Sequence, residues 1–192
     1  MTDRRYLRTE KLLITAMLAL IQQKPFHELT VVDIAAKADI ARKTFYNHFT
    51  SKTDLLWHSM EAHFQQIAEA TGDLDPETLL MDDKPLSYPV FAHVYDFQLF
   101  YTHMLGDQGD GVFVLRLMTY ITAQSMAKHH VLRDAAPYMT IPKEQIAHML
   151  AGALVGALRW WVETDFIETP AQMAYRYSQL VAPGVLQSMG LD

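Results

Sequence analysis

The 192-residue chain contains no cysteine. That absence excludes a disulfide framework, a thiolate zinc site, an iron–sulfur cluster and a cysteine nucleophile. It agrees with a reducing compartment, and the cytoplasm is the expected location. Glycine and proline are scarce, eight of each, and they punctuate apolar-periodic segments without forming a low-complexity tract. Long hydrophobic runs are also missing. No apolar stretch approaches the roughly 18 residues needed to cross a bilayer, so no membrane partner is expected. The run Leu12–Ile21 behind Arg4, Arg5, Arg8 and Lys11 has the outline of a secretory leader. Glu10 interrupts its charged region, however, and Gln22-Gln23-Lys24-Pro25 stands where a small-residue cleavage pattern would be. Alternating Val/Ile/Thr pairs joined by hairpin turns do not occur. With 50% of residues apolar and 20% charged, the chain is too apolar for disorder and long enough to bury a core unaided.

Positive charge is in short supply overall, the formal net charge being −6, but its distribution is uneven. Residues 1–56 carry nine Lys/Arg against six Asp/Glu, and residues 57–192 seven against sixteen. Attraction to phosphate is local, screened within about 8–10 Å, so a basic head on an acidic body can still hold nucleic acid.

What is present is helical periodicity. Leu13, Ala16, Met17, Leu20 and Ile21 follow the i, i+3, i+4, i+7, i+8 pattern of one buried face, and Pro25 ends that helix. A second helix, Val31–Ala38, opens on a capping box of Thr30 and Asp33, with Leu29 and Ile34 as a hydrophobic staple. A third is expected over Ala41–Phe49 and a fourth from Lys52 to about Ala70, capped by Ser51 with Asp54. Gly72 to Pro89 reads as a loop. Further helices are predicted over Pro89–Met104, Val112–His129 and Pro142–Glu163, with a last one from Thr169-Pro170. The fold class is all-α.

Two short helices separated by a tight turn, Val31–Ala38 and Ala41–Phe49, make a helix-turn-helix. Ile40, Phe45 and Phe49 are expected inward, which leaves Arg42, Lys43, Tyr46 and Asn47 together outside. Two cations, a phenol and an amide are groups that phosphates and base edges accept. On a generic helix the same residues would be a solvated face with a rim aromatic.

The ordered pieces T-V-x-D-I-A-x-x-A from Thr30, T-F-Y-x-H-F from Thr44 and S-K-x-x-L-L from Ser51 resemble the N-terminal domain of TetR-family transcriptional regulators. With the preceding helix the resemblance covers about residues 5–60. Lys24-Pro25-Phe26 and Tyr101-x-x-Met104-Leu105-Gly106 are similar to a branch related to dihydroxyacetone-kinase regulators. The resemblance implies a three-helix DNA-binding domain over residues 1–50 and a larger helical effector-binding and dimerisation domain over 51–192. It implies that Thr30 caps helix two and meets phosphate, and that Arg42, Lys43, Thr44 and Asn47 face bases or backbone. Tyr46 and Lys52 would contact phosphate. His48 has two readings, a phosphate contact or a structural hydrogen bond to helix one or four. Asp39 stands where the family has a turn glycine, and Ala41 where it has a serine or threonine cap.

The acidic body has no comparable motif. His58-x-x-Glu61-x-His63 misses zinc-protease spacing, and Gly106–Gly111 carries acids where a phosphate loop would not. Neither a metal, a cofactor nor an enzymatic site is expected. The resemblance implies an effector cavity, for which Trp57, Phe64, His93, Phe97, Tyr101 and Met118 are candidate walls, with His58, His103 and Gln124 as further polar members. Met149, Gly152, Gly156 and Trp160, with Met173 and Tyr177 on the last helix, are candidates for a four-helix dimer interface. The expectation is a homodimeric regulator of double-stranded DNA with a near-palindromic operator, acting as a repressor released by a small-molecule effector. One rival is a co-regulator of the same fold acting through protein partners. Another is a helical ligand-binding protein or enzyme whose head is merely structural.

Overall fold

The computed structural model describes residues 4–71, 85–128 and 139–190, and in them no strand occurs. The described elements are α1 (Arg4–Ile21), a 3₁₀ turn (Phe26–Glu28), α2 (Val31–Lys37), α3 (Arg42–Tyr46) and α4 (Lys52–Ala70), followed by α5 (Tyr88–Asp96), α6 (Gln98–Leu105), α7 (Gly111–Lys128), α8 (Lys143–Glu163) and α9 (Pro170–Ser188). Residues 72–84 of the expected loop over Gly72 to Pro89, and His129 at the expected end of its helix, lie outside the described residues.

Local signals explain the head. Leu13, Ala16, Met17 and Ile21 are buried on one stripe of α1. At α2 the Thr30 hydroxyl accepts from Asp33 N–H at 3.2 Å, and the Asp33 carboxylate accepts from Thr30 N–H at 2.9 Å. Lys24 Nζ donates to the same carboxylate at 3.0 Å. The Thr30 backbone donor and then Lys24 hold the Asp33 carboxyl at about 2, below its ordinary 3.8. The expected box at α4 is shifted. Ser51 Oγ accepts from Asp54 N–H at 3.0 Å, but the Asp54 carboxylate takes the N–H of Thr50, one residue earlier, also at 3.0 Å.

Two helix ends share an unusual device. After α2, Ile40 N–H donates to Ala35 O and Asp39 N–H to Ala36 O, with Asp39 at φ +55°. After α8, Phe166 N–H donates to Trp161 O and Asp165 N–H to Val162 O, with Asp165 at φ +51°. Both are Schellman motifs with aspartate in the left-handed position that glycine usually fills. Phe166 itself sits at φ +55°, and its ring lies 5.2 Å from that of Trp161.

Where one helix was expected over Pro89–Met104, the chain bends at Phe97 (φ −114°, ψ 36°) and continues as α6. Neither glycine nor proline marks the bend. The Phe97 ring lies 4.6 Å from that of His93 and 4.9 Å from that of His63, so the bend sits against α4. One core cluster runs from Leu13 through Phe45, Leu55, Trp57 and Phe64 to Phe91, Leu158, Trp161 and Ala174. Head and body therefore share their packing along α4.

Candidate nucleic-acid interface and body cavity

The interface begins with what is hidden. Phe45 and Phe49 are buried, which fixes the rotation of α3 and leaves Arg42, Lys43, Tyr46 and Asn47 exposed. Ile40 and Thr44 are half-buried. The Arg42 guanidinium lies 5.6 Å from the centre of the Tyr46 ring, so cation and phenol form one patch. Thr30 is exposed at the start of α2. Ala41 offers no side-chain cap, and α3 is only 5 residues long.

His48 stacks on Tyr6, ring centres 4.0 Å apart and 29° from parallel, and its Nδ1 is buried with no hydrogen-bond partner among the described residues. Its contact with α1 is thus an aromatic stack in place of the hydrogen bond allowed for above. The stack brings the first turns of α1, with exposed Arg4, Arg5 and Arg8, beside the end of α3. From the sequence those arginines are read as part of the basic head and as the flank of a leader-like segment, and Tyr6 is given no role.

Lys52 departs from expectation. Its ammonium donates to the carbonyls of Phe26 at 2.7 Å, Leu29 at 2.8 Å and His27 at 3.2 Å, and lies 4.6 Å from the centre of the Phe26 ring. Burial lowers its pKa below the ordinary lysine value. The residue ties α4 to the turn before α2; its three donors are directed at backbone, not at solvent phosphate.

A cavity of about 220 Å³ opens in the body between α4, α5, α6, α7, α8 and α9. Of the expected walls, Phe64 and Tyr101 line it, as does Gln124. Trp57, His93, Phe97 and Met118 do not. Trp57 is packed in the core against Phe64, Phe113 and Tyr120, because its face of α4 is turned toward α7. His93 and Phe97 pack against His63 on α4. Burial and then the neighbouring His63 lower the His93 pKa to about 4. Met118 has its Cε 4.0 Å from where a Cβ on Gly152 would stand. The walls that sequence reasoning missed include Leu117 and Ile121 on α7, Leu150, Leu154 and Leu158 on α8, and Val181 on α9. Their i, i+4 repeats say only that each helix buries a face, not which neighbour it meets.

α7 joins this cavity to the head. Near its start, Thr53 Oγ1 donates to Asp110 Oδ2 at 3.0 Å and Arg116 donates to Asp54 Oδ1 at 3.2 Å. The Arg116 guanidinium also covers the Trp57 ring at 4.8 Å. Among the described residues, no three His, Asp or Glu side chains gather as metal ligands, and no helix is long and apolar enough to cross a membrane.

Residues 13–57 match the family of bacterial regulatory proteins called tetR, and residues 84–182 match a transcriptional regulator C-terminal region. The chain belongs to the TetR family. It is a helix-turn-helix transcriptional regulator and not an enzyme. Over 65 residues it is 34% identical to the HTH-type dhaKLM operon transcriptional activator DhaS of Lactococcus lactis, a stretch covering 34% of this chain and 35% of that one. Among solved structures, a TetR regulator from Streptococcus agalactiae superposes with a TM-score of 0.64 at 23% identity, covering 93% of this chain and 96% of the other. Thermus thermophilus FadR, a TetR-family repressor in complex with lauroyl-CoA, gives 0.60 at 16% identity, covering 92% and 95%. Both share the fold.

In this TetR-family body the candidate dimer residues divide. On α8, Met149 is 58% exposed and Trp160 43% exposed, and Gly156 is exposed beside them. Gly152 is half-buried and faces Met118 of its own chain. On α9 the expectation is corrected. Met173 is only 3% exposed, and the Tyr177 hydroxyl donates to Leu150 O at 3.0 Å. These two side chains pack inward, against α5 and α8, so they are not free for a second chain. The outer face of α9 instead presents Tyr175, Arg176 and Leu180, the last 75% exposed.

Proposed function

We propose that two copies of this chain bind a near-palindromic operator through α3 and repress transcription until a small molecule enters the body cavity. The observation that carries the reading is the outward patch of Arg42, Lys43, Tyr46 and Asn47 on a helix anchored by buried Phe45 and Phe49. One such helix spans too few base pairs to select a site; two related by a twofold axis read half-sites about one helical turn apart. The exposed Met149, Gly156 and Trp160 on α8, together with exposed Leu180 on α9, support pairing of bodies. Residues 1–50 would read the DNA, and 51–192 would hold the effector and the second copy, in the cytoplasm.

Coupling requires only that the effector prefer one arrangement of the heads. Leu117, Tyr120 and Ile121 on α7 line the cavity, while Asp110 just before the helix and Arg116 beside Leu117 hold the start of α4. A ligand that shifts α7 therefore shifts the element from which the head hangs. The relatives include a described activator and a described repressor, so the sign is tested directly: a reporter behind the selected operator should fall when the protein is expressed.

The binding test is a gel shift with DNA selected from a random library. Arg42→Ala and Asn47→Ala should each relax sequence preference, by about 1–3 kcal/mol at the contacted base pair. Retention by neither wild type nor variants at low salt would favour the co-regulator reading, in which protein partners carry the specificity.

A further inference from the structure

We infer that the body cavity takes an uncharged molecule with a single-ring or short-chain apolar body and one hydroxyl or carbonyl group. This names the effector class for the site proposed above and rests on that reading. Three features of the cavity carry it: charge, polarity along its length, and size.

Charge comes first. None of the described residues lining the cavity is Asp, Glu, Lys, Arg or His. A carboxylate or phosphate placed there would lose its hydration with no counter-charge to replace it, a large penalty in an apolar site. The phenols of Tyr101 and Tyr177 are kept protonated by burial, so they add dipoles and no anion.

The second feature is a gradient of polarity. α4 and α7 both start at the head, as the Thr53–Asp110 and Asp54–Arg116 contacts require. Along α7, Leu117, Tyr120 and Ile121 therefore lie nearer the head, and Gln124 one turn further away. Of the other hydroxyls at the walls, Thr71 donates to Ile67 O and Ala68 O, Tyr177 to Leu150 O and Ser87 to Ala174 O, while Tyr101, Tyr120, Ser125 and Ser178 also border the cavity. The Gln124 amide both donates and accepts, so it can meet either a hydroxyl or a carbonyl. The apolar body of the ligand then lies toward Phe64 and Leu117.

Size is the third. At about 220 Å³ the cavity is smaller than the roughly 300–1,000 Å³ that holds drug-sized ligands. One ring with a short alkyl tail fits this space.

The test uses the full chain and three probes of one shape: 4-propylphenol, propylbenzene and 4-propylbenzoate, titrated by calorimetry at neutral pH. 4-Propylphenol should bind, about tenfold tighter than propylbenzene, the difference that one hydrogen bond supplies. 4-Propylbenzoate should be weaker by roughly a hundredfold or more. Leu154→Trp, which fills the cavity, should abolish binding of all probes without lowering the melting temperature. Ile121→Phe serves as a second filling variant should the first not fold. Gln124→Leu should erase the preference for the phenol over propylbenzene. Benzoate binding as tight as the phenol, failure of all three probes, or unchanged binding in the filled variants would each overturn the inference. The same samples run in the gel shift separate the two readings. DNA retention without probe binding overturns the ligand class alone, and loss of retention without ligand overturns the regulator reading beneath it.

Discussion

An ammonium group has three hydrogens, and at Lys52 each finds a backbone carbonyl. Removing that charge leaves three carbonyls short of a donor, and hydrogen bonds to charged groups contribute about 1.5–3 kcal/mol. Lys52→Met should therefore lower stability by that order in urea melts. The salt slope of DNA binding should stay as in the wild type, whereas Lys43→Ala should reduce the slope by about one. Equal loss of slope in both would return Lys52 to the phosphate contacts. His93 makes a pH-dependent prediction. Its pKa falls from 6.5 to about 4 on folding, so below pH 6.5 the unfolded chain binds a proton that the folded chain does not. Its contribution to stability should be complete above pH 6.5 and be lost as pH falls through 4. His93→Phe should flatten that part of the stability curve, read by urea melts across the interval. At this scale Arg42, Lys43, Tyr46 and Asn47 were legible, because exposure on a short helix follows from the two buried phenylalanines beside them. Lys52 was not, since its carbonyl partners lie 23 to 26 residues earlier.

Helix ends and bends are set partly by neighbours in sequence and partly by neighbours in space. The capping box at Thr30 and the Thr169-Pro170 start of the last helix were readable because their signals sit within one turn, whereas the Gln172 half of the second box was not read. The left-handed aspartates are a local cost: L-residues resist positive φ by roughly 1–2 kcal/mol, and aspartate less than most. Asp39→Gly should stabilise the protein by about 0.5 kcal/mol, and Asp39→Val should destabilise it by roughly 1–2 kcal/mol. Thermal melts of the two variants, shifting in opposite directions, check this. The bend at Phe97 lacks a local cause of that kind. Its contacts reach His63, 34 positions away, and periodicity within α5 and α6 carries no trace of them.

For the whole molecule, the question is which apolar surface belongs to the chain's own core and which is left for a second copy. Leu180 and Trp160 are exposed, whereas Met173 is buried against its own chain. Leu180→Glu and Trp160→Glu should yield a folded monomer by light scattering with native circular dichroism. Met173→Glu should instead unfold the body, because it places a charge in the core with no partner. A dimer surviving both surface substitutions would move the interface elsewhere.

Sequence alone determined the all-α class, the helix-turn-helix, its polar face and the capped helix starts, because each depends on residues a few positions apart. The tertiary structure decided the cavity walls, the inward turn of Met173 and Tyr177, the Lys52 brace and the bend at Phe97. Those depend on how helices rotate and cross when their apolar faces compete for one core, and a periodic stripe records that a face is buried without recording against what.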